Sequence, residues 1–382
     1  MLKVAIGHSS DPDSLEAVKE VIQQCQSTLA DQTPQAGLLF AAIDFDHHLI
    51  LQQINEAFPK IELIGGTTDG EISSVLEFQQ DSLTLMLFCA DDIEFRASIG
   101  RNVSQNPEAI ARQAVETAKH RLTLPIQLCI TVPESLTTST VSILQGLKAA
   151  LGTIPIFGGA AADQWQYKRT YQFFNTEVLS DAVPVLLVAG KLFFSYGVAG
   201  GWRPIGKRSL ITKVNKNIIY EIDGKPALDF YHYYLNNSAP DAVYPLAVFP
   251  PGQEQFFLRG SVGHDLERGS ITVSGDIPEH SVVQITDASI DDVVMASQTA
   301  STEAWAKYPG QAPDAAIFFS CAWRRHILGT RANEEYQAIA HSSKQVITGC
   351  GFYTYGEIAP LSDTGQTFFH NTTFVTLLIG SQ

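Results

Sequence analysis

The sequence runs Ile64-Gly65-Gly66-Thr67-Thr68-Asp69-Gly70-Glu71 at the end of a short apolar segment, and two later segments repeat this arrangement. The later turns are Ile156-Phe157-Gly158-Gly159 and Ile347-Thr348-Gly349-Cys350-Gly351. A turn of small residues after a buried strand lets a backbone approach a ligand closely, because no Cβ atom stands in the way. We therefore expect a binding site at these turns.

The residues before the first turn predict a β-α-β crossover. Leu38–Ala42 and Ile61–Ile64 are apolar runs of strand length, and between them His48–Phe58 places Leu51 and Ile54 at helical spacing. Two strands joined through a helix pair in parallel. The same order precedes the other two turns, and two apolar strands follow each turn. The sequence therefore predicts an α/β (α+β) fold with mixed sheets, built from repeated β-α-β-β units flanked by helices and arranged in two halves.

Two further features concern the connections. The apolar runs Leu83–Phe88 and Ile93–Ile99 are separated by the acidic pair Asp91-Asp92, which predicts a hairpin. From Gly200 to Gly206 the chain is rich in turn residues. This stretch predicts a boundary between an N-terminal domain of residues 1–199 and a C-terminal domain of residues 200–382.

The composition excludes two classes of partner. The 382 residues are 45% hydrophobic, which is enough apolar material for a large core. Lysine and arginine number 25 against 40 aspartates and glutamates, so the formal net charge is −15. Negative charge repels phosphate backbones and anionic lipid. We therefore expect neither nucleic acid nor a membrane surface as a partner.

The sequence also predicts a cytoplasmic protein. Its N-terminus lacks the basic region and apolar stretch of a signal peptide. Apolar runs such as Val183–Ala189 have the length of strands and fall short of the ~20 residues that a membrane helix needs. The five cysteines are widely spaced without a Cys-x-x-Cys pair, which is typical neither of a disulfide framework nor of a zinc site.

Several ordered motifs of the chain resemble the FIST family. They are Gly65-Gly66-Thr67-Thr68-Asp69-Gly70-Glu71, Trp202-Arg203-Pro204-Ile205-Gly206, Tyr220-Glu221-Ile222-Asp223-Gly224-Lys225-Pro226-Ala227, Ser320-Cys321-Ala322-Trp323-Arg324-Arg325, Gly351-Phe352-Tyr353-Thr354-Tyr355-Gly356-Glu357-Ile358 and His370-Asn371-Thr372-Thr373. The resemblance spans almost the whole chain and covers both the N-terminal and the C-terminal FIST part. The Gly351–Ile358 motif is the more specific, because eight ordered residues rarely arise by chance.

The resemblance implies a role in signal transduction. FIST proteins are two-part intracellular proteins regarded as small-ligand sensors. Stand-alone bacterial members resemble sensor subunits that work with a histidine kinase of a two-component system or with a cyclic-dinucleotide enzyme, and one subgroup binds b-type haem and senses nitric oxide. The chain departs from the broader family because it has no kinase, F-box or methyl-accepting output domain, so its output would pass through a separate partner. Gly66 stands where the family often has a cysteine, which argues against a thiol role at this turn.

The candidate ligand-binding residues lie in the C-terminal motifs. Tyr353, Tyr355 and Glu357 alternate, so in one extended strand they would share a face and form a polar pocket for a cationic or amide-bearing ligand. Arg324 is able to hold a ligand carboxylate through two hydrogen bonds. The full candidate set is Arg324, Cys350, Gly351, Tyr353, Tyr355, Glu357, His370 and Asn371.

A structural interpretation of the same residues stays open. The two tyrosines would then pack in the core, Glu357 would cap a turn or pair with Arg324, and the glycines would serve a bulge. For Glu71 and Asp163, in the other two repeats, satisfying buried backbone amides is favoured over ligand contact.

Haem is the cofactor that the family resemblance suggests. A b-type site needs one histidine and an apolar pocket. The candidate iron ligands are His370, which lies in a family motif, and His232, which lies on a predicted helix among tyrosines. The structural alternative for both is a hydrogen-bonded core or surface histidine.

Two other classes of function remain as alternatives. A cysteine-dependent enzyme acting on a small amide or amino-acid-like substrate would use Cys321, which ends a strand with Arg324 and His326 nearby. Cysteine is also among the most buried residue types, and we assign no catalytic residue. A non-catalytic interaction scaffold, in which the turns are purely structural, is the third interpretation.

Overall fold

The computed structural model describes residues 1–342, 347–361 and 366–381. The chain forms three repeats of one α/β unit, in which two strand–helix pairs are followed by four strands, and the third repeat carries a long insertion. The predicted α/β class with mixed sheets is confirmed. Within the described residues no helix combines the length and apolar character needed to cross a membrane.

Repeat 1 is ordered strand, helix, strand, helix and four strands. Its elements are β1 (Leu2–Ser9), α1 (Ser14–Leu29), β2 (Ala36–Ala41), α2 (His47–Ala57), β3 (Glu62–Thr67), β4 (Glu71–Ser73), β5 (Glu77–Gln79) and β6 (Leu83–Ala90). Helix α1 begins where the Asp13 carboxylate accepts hydrogen bonds from the N–H groups of Leu15 and Glu16. Its buried residues, which include Val18 and Val21, follow the helical period and face the sheet.

Repeat 2 has the same order. Its elements are β7 (Ile93–Arg101), α3 (Pro107–Lys119), β8 (Ile126–Thr131), α4 (Thr140–Leu151), β9 (Ile156–Gly159), β10 (Gln172–Phe174), β11 (Glu177–Leu179) and β12 (Ala182–Gly190). The predicted hairpin of β6 with β7 is wrong, because β6 pairs with β1 and β2, whereas β7 pairs with β12 in another sheet. The turn at Asp91-Asp92 therefore passes the chain from one repeat to the next.

Repeat 3 begins with β13 (Phe193–Ala199). The insertion follows at once and comprises β14 (Arg203–Asn215), β15 (Ile218–Ile222), β16 (Lys225–Pro226), α5 (Ala227–Tyr234), β17 (Leu246–Phe249), β18 (Phe257–Arg259), β19 (Ser261–Asp265), β20 (Ser270–Val273) and β21 (Val282–Asp287). Repeat 3 then continues with α6 (Ile290–Lys307), β22 (Ala315–Cys321), α7 (Ala322–Leu328), α8 (Asn333–Ser342), β23 (Gly349–Thr354), β24 (Glu357–Pro360), β25 (Thr367–His370) and β26 (Phe374–Gly380). The predicted boundary at residue 199 falls where the insertion begins.

The three repeats exchange their hairpins. The sheets have the orders β1-β6-β2-β3-β10-β11, β25-β24-β9-β8-β12-β7 and β13-β26-β22-β23-β4-β5. Each sheet therefore holds four strands of its own repeat and a hairpin from another one. The three glycine turns are the places where the chain leaves one sheet and enters the next. The insertion forms a separate eight-stranded sheet.

We name the three places where the chain passes from one sheet to the next the crossings. Equivalent backbone hydrogen bonds join the three crossings in a ring. The N–H of Asp69 donates to the carbonyl of Tyr353 at 2.9 Å, and the N–H of Tyr355 donates to the carbonyl of Ala160 at 3.2 Å. The ring is completed by the N–H of Ala162, which donates to the carbonyl of Thr67 at 2.8 Å. The apolar core beneath the ring takes residues from all three sheets, with Phe40, Phe157 and Phe352 fully buried. The ring thus ties distant parts of the chain into one core.

Neighbouring strands leave no room for a side chain at the glycines of the turns. An added Cβ would lie 1.8 Å from the carbonyl oxygen of Leu39 at Gly65, and 2.0 Å from that of Phe318 at Gly351. Gly158 occupies the same position in repeat 2. The close approach that the sequence predicted for a ligand is therefore used by the chain itself, between the parallel strands of each repeat.

Substituting Gly351 tests this packing. We expect Gly351→Ala to lower the free energy of unfolding by about 3 kcal/mol or more, because the added methyl group overlaps a backbone carbonyl that cannot move alone. The matched control is Gly263→Ala, where the nearest atom to an added Cβ is 4.0 Å away. Urea unfolding measures both variants. Equal stability of the two variants would contradict this role of Gly351.

Candidate functional site

A cleft of about 1030 Å³ lies where repeat 2, repeat 3 and the insertion meet. Repeat 2 contributes residues 135–140 and the side chains that follow its crossing. Repeat 3 contributes the start of α7 and the segment between β23 and β24, and the insertion contributes residues around β19 and β20. The cleft therefore depends on the folding of segments that are far apart in the sequence.

Four aromatic side chains line one side of the cleft, and we name them the aromatic wall: Trp165, Tyr167, Trp323 and Tyr355. The ring centroids of Trp165 and Trp323 lie 4.6 Å apart in an edge-on arrangement. Tyr167 stacks on Tyr355 with 5.2 Å between centroids. Such a surface offers ring faces to a flat or cationic group.

Asp163 holds the loop that carries Trp165 and Tyr167. Its carboxylate accepts hydrogen bonds from the N–H groups of residues 167–169 and from the Tyr355 hydroxyl at 2.7 Å. Positive φ angles occur at Gln164 (53°), Trp165 (64°) and Tyr167 (49°). Non-glycine residues adopt such angles at a cost and keep them where the surroundings enforce them. The interpretation that Asp163 satisfies backbone amides is confirmed, and the same contacts orient the aromatic wall.

Asp69 lies behind the aromatic wall. Its Oδ2 accepts a hydrogen bond from the indole N–H of Trp165 at 2.9 Å and lies 3.4 Å from Nε of Arg325. Its Oδ1 is buried without a hydrogen-bond partner. Burial raises the pKa of Asp69 to about 7, although the charge of Arg325 acts in the opposite direction. The first crossing thus places a titratable carboxyl group beneath Trp165.

Glu71 of the first crossing is a structural residue. Its carboxyl group contacts the hydroxyl groups of Thr68 and Ser82, and the side chain is fully buried. Burial raises the pKa of Glu71 to about 8. Glu71 does not line the cleft.

The prediction that Tyr353, Tyr355 and Glu357 share one face of a strand is wrong. The strand is interrupted after Thr354, and Gly356 has a φ of 147°, so the chain changes sheets between Tyr355 and Glu357. Tyr355 lines the cleft. Tyr353 and Glu357 are fully buried away from it.

Arg324 belongs to a buried network. Its Nε donates to Oε1 of Glu335 at 2.8 Å, and its other nitrogens donate to the carbonyls of Gly200 and Val293. Tyr353 donates its hydroxyl to the second oxygen of the same glutamate at 2.5 Å. The alternative that Arg324 pairs with Glu357 is therefore wrong, because Glu335 is its partner. Within this network Arg324 joins α7, α8 and α6 and does not face the cleft.

The other predicted ligand-binding residues also divide into core residues and residues that line the cleft. Cys350 is buried with its sulfur 3.6 Å from that of Met86, and Gly351 packs against Phe318. His370 is fully buried and its Nε2 lies 2.9 Å from the carbonyl oxygen of Ala359. Asn371 lines the cleft. Of the eight predicted residues, Tyr355 and Asn371 are the two that lie among the described cleft-lining residues.

The two candidate haem ligands do not fit a haem in this cleft. Burial lowers the pKa of His370 to about 4, and its ring is held within the core. His232 lies on α5, outside the cleft. None of the described residues that line the cleft is a histidine. The described part of the chain likewise contains no cluster of three His, Cys, Asp or Glu residues suited to a metal ion.

Cys321 has the properties of a core residue. It is 1% exposed, and burial together with the charge of Glu357 raises the pKa of its thiol well above the ordinary value. A thiolate nucleophile requires the opposite shift. Hydrogen bonds from the backbone at Trp323 and Thr372 act in the opposite direction but are outweighed by burial.

Several residues of the site were missed by the sequence analysis. Trp165 and Tyr167 follow the second turn directly, and this aromatic pair after Asp163 was the available signal. Trp323 stood within a quoted motif but was not selected. The contribution of the insertion had no local signal, because it depends on which loops meet in the folded chain.

Comparison with known proteins gives the family. Residues 35–225 match the FIST N domain, and residues 227–360 match the FIST C domain. The chain belongs to the FIST family. This confirms the predicted resemblance, and a FIST domain is a sensory domain for small ligands.

Two uncharacterized proteins are similar to this FIST protein, one over almost the whole length of both chains and one over a short part. Uncharacterized protein Rv0628c of Mycobacterium tuberculosis is 23% identical over 394 aligned residues, which cover 97% of this chain and 98% of that protein. Uncharacterized protein MJ1623 of Methanocaldococcus jannaschii is 33% identical over 107 residues, covering 28% of this chain and 20% of that protein.

Two solved structures are similar to this FIST protein at low scores. A cyanuric acid hydrolase from A. caulinodans has a TM-score of 0.42 at 10% identity, with 100% of both chains covered. A chorismatase has a TM-score of 0.39 at 10% identity, covering 99% of this chain and 98% of the other.

The buried Glu357 of this FIST protein gives a pH prediction. Burial raises its pKa to about 8 from an ordinary 4.5, so between these values the folded state binds more protons than the unfolded state and stability falls as pH rises. We expect Glu357→Gln to reduce this loss between pH 5 and pH 9 by on the order of a few kcal/mol. The control is Glu254→Gln, whose carboxylate is 88% exposed. Urea unfolding across this pH range measures the effect, and parallel curves for wild type and Glu357→Gln would contradict it.

Proposed function

We propose that this FIST protein is a sensor that binds a small organic molecule in the cleft and regulates a separate signalling protein. The observation that carries the proposal is the aromatic wall, which a strained loop presents to a cleft of about 1030 Å³. A concave site with aromatic walls and a few polar groups is typical of small-molecule binding. The strain at residues 164–167 supports a functional purpose for this loop.

The chemistry of the aromatic wall favours a flat or cationic ligand group. Ring faces attract cations, and the carboxyl group of Asp69 lies directly behind Trp165. The carboxylate of Asp163 lies behind Tyr167 and Tyr355. The carboxylate of Asp163 strengthens the attraction of these two rings for a positive group, whereas the carboxyl group of Asp69 is paired with Arg325.

A signal would arise from the way in which the cleft is assembled. Its walls belong to repeat 2, repeat 3 and the insertion, so a ligand that contacts all of them favours the arrangement in which they are close together. A ligand shifts a conformational equilibrium by as much as its affinity differs between the two states. The partner that we propose from the family resemblance is a histidine kinase or a cyclic-dinucleotide enzyme in the cytoplasm.

Haem binding with nitric oxide sensing is a finer proposal. It comes from the family resemblance, and no described residue lining the cleft supports it. The protein reconstituted with haem should show a Soret band that shifts with nitric oxide if the proposal is correct. An unchanged spectrum would exclude haem and leave the wider sensor function standing.

Cysteine-dependent catalysis remains a second class of function. Its test is labelling of Cys321 with a thiol reagent under native conditions. Cys321 is buried and the pKa of its thiol is raised. We therefore expect the labelling rate of Cys321 in the native protein not to exceed the rate at which the protein unfolds. Rapid labelling of the native protein would favour the enzyme.

Native mass spectrometry tests the sensor proposal directly. We expect a small molecule to accompany the protein purified from cells under non-denaturing conditions. Trp323→Ala should weaken its binding by about tenfold or more, because loss of a buried aromatic anchor costs about 2 kcal/mol. Tyr233→Ala, at a side chain that is 82% exposed on α5, is the control and should retain the ligand. Absence of any small ligand would favour the interaction scaffold.

A further inference from the structure

Three buried donors without a hydrogen-bond partner lie together beside the cleft. They are Nε of Arg259, Oγ of Ser261 and Oγ of Ser274, and we name them the donor wall. Ser261 and Ser274 line the cleft, and Ser261 is 4% exposed. Native proteins satisfy nearly all buried polar atoms, so several unpaired donors at one cleft indicate that a bound group supplies the acceptors.

The two terminal nitrogens of Arg259 are held by hydrogen bonds, whereas its Nε has no acceptor. Its Nη1 donates to the carbonyl oxygens of Leu258 and Phe369 at 3.0 Å each and to Oδ1 of Asn371 at 3.2 Å. Nη2 donates to the carbonyl of Asp276 at 3.4 Å. Burial lowers the pKa of Arg259 to about 9, but the group stays charged at neutral pH. The guanidinium is thus a rigid positive charge whose Nε has no acceptor.

Gly275 separates Arg259 from the cleft. Gly275 lines the cleft, and an added Cβ there would lie 3.1 Å from Nε of Arg259. A glycine at this position keeps the path to the guanidinium short. Arg259 therefore lies directly behind the surface formed by Ser274 and Gly275.

The start of α4 faces the same cleft. Its N-cap residue, Ser139, makes no side-chain cap hydrogen bond, and its hydroxyl donates to Oδ2 of Asp276 at 3.2 Å. Residues 135–140, five of which carry hydroxyl groups, all line the cleft. A helix N-terminus favours negative charge through its N–H groups and its dipole.

Positive side chains offset part of the negative charge of the acidic residues that line the cleft. Asp276 and Asp241 line the cleft, and Lys216 does so with the opposite charge. The carboxylate of Asp276 interacts with Arg259 and accepts the hydrogen bond of Ser139. Asp276 therefore already has partners, whereas the three atoms of the donor wall have none.

We propose that the donor wall and the start of α4 bind an oxyanion of the ligand, a carboxylate or a phosphate, while the aromatic wall binds its flat or cationic part. This inference rests on the proposed function of the same cleft. It gives Arg259, Ser261 and Ser274 the task that the sequence predicted for Arg324. The ligand class is a small molecule with an oxyanion at one end and a flat or positively charged group at the other.

Simple anions test the donor wall. The 382-residue chain is titrated with inorganic phosphate and with acetate at constant ionic strength, and binding is followed through tryptophan fluorescence, to which Trp165 and Trp323 in the cleft contribute. We expect saturable binding of one of the two anions. The Ser261→Ala/Ser274→Ala double variant should weaken it by about a hundredfold or more, since two hydrogen bonds to a charged group are lost. The anion that binds distinguishes a phosphate ligand from a carboxylate ligand.

Two further variants sharpen the result. Ser27→Ala, at an exposed hydroxyl on α1, is the control and should bind like the wild type. Gly275→Ala retains all three donors but covers Nε of Arg259, so it should also weaken binding. Equal anion affinity in the wild type and the double variant, or no saturable binding of either anion, would overturn the oxyanion proposal.

The same variants separate this inference from the proposed function. If native mass spectrometry finds a ligand that Trp323→Ala loses and the double serine variant retains, the sensor stands and the oxyanion site is refuted. Loss of the ligand in both variants supports both proposals. A ligand that neither variant affects refutes both.

Discussion

The ring of backbone hydrogen bonds at the three crossings is the constraint on which the rest of the structure depends. Asp69, Ala162 and Tyr355 each donate to a residue of another crossing, so no repeat completes its sheet alone. Glycines at Gly65, Gly158 and Gly351 let the strands beneath come close enough for the ring to form. Because each exchanged hairpin pairs with a strand of another repeat, in one case joining Ser73 to Cys350, the three repeats fold as one core.

The three crossings have different side chains, and this difference creates the site. The first crossing supplies Asp69, the second supplies Asp163 with its loop, and the third supplies Tyr355. Hydrogen bonds between these groups fix the aromatic wall on the ring itself. The insertion in repeat 3 then covers this surface and adds the donor wall. A symmetric scaffold thus acquires one asymmetric cleft.

Much of the fold followed from local pattern, because strand and helix periods and the repeated glycine turns are short-range signals. The same signals could not show that β6 and β7 enter different sheets, since an apolar strand has the same appearance in either sheet. For the site, alternation placed Tyr353, Tyr355 and Glu357 together, but the positive φ of Gly356 turns the chain between them. Arg324 was selected for its charge, and its buried partner Glu335 lies on a helix that no motif marked. Tyr355 and Asn371 were found because they lie in ordered motifs beside the cleft.

Hydrogen–deuterium exchange gives the most direct test that the cleft binds a small molecule. The protein is first freed of any co-purified small molecule and is then compared before and after addition of a protein-free small-molecule extract from the cells that express it. The account predicts slower exchange at residues 135–140, at 164–167 and at 261–276, with little change in α1 and α2. Unchanged exchange in these three segments, or protection confined to another face of the molecule, would contradict it.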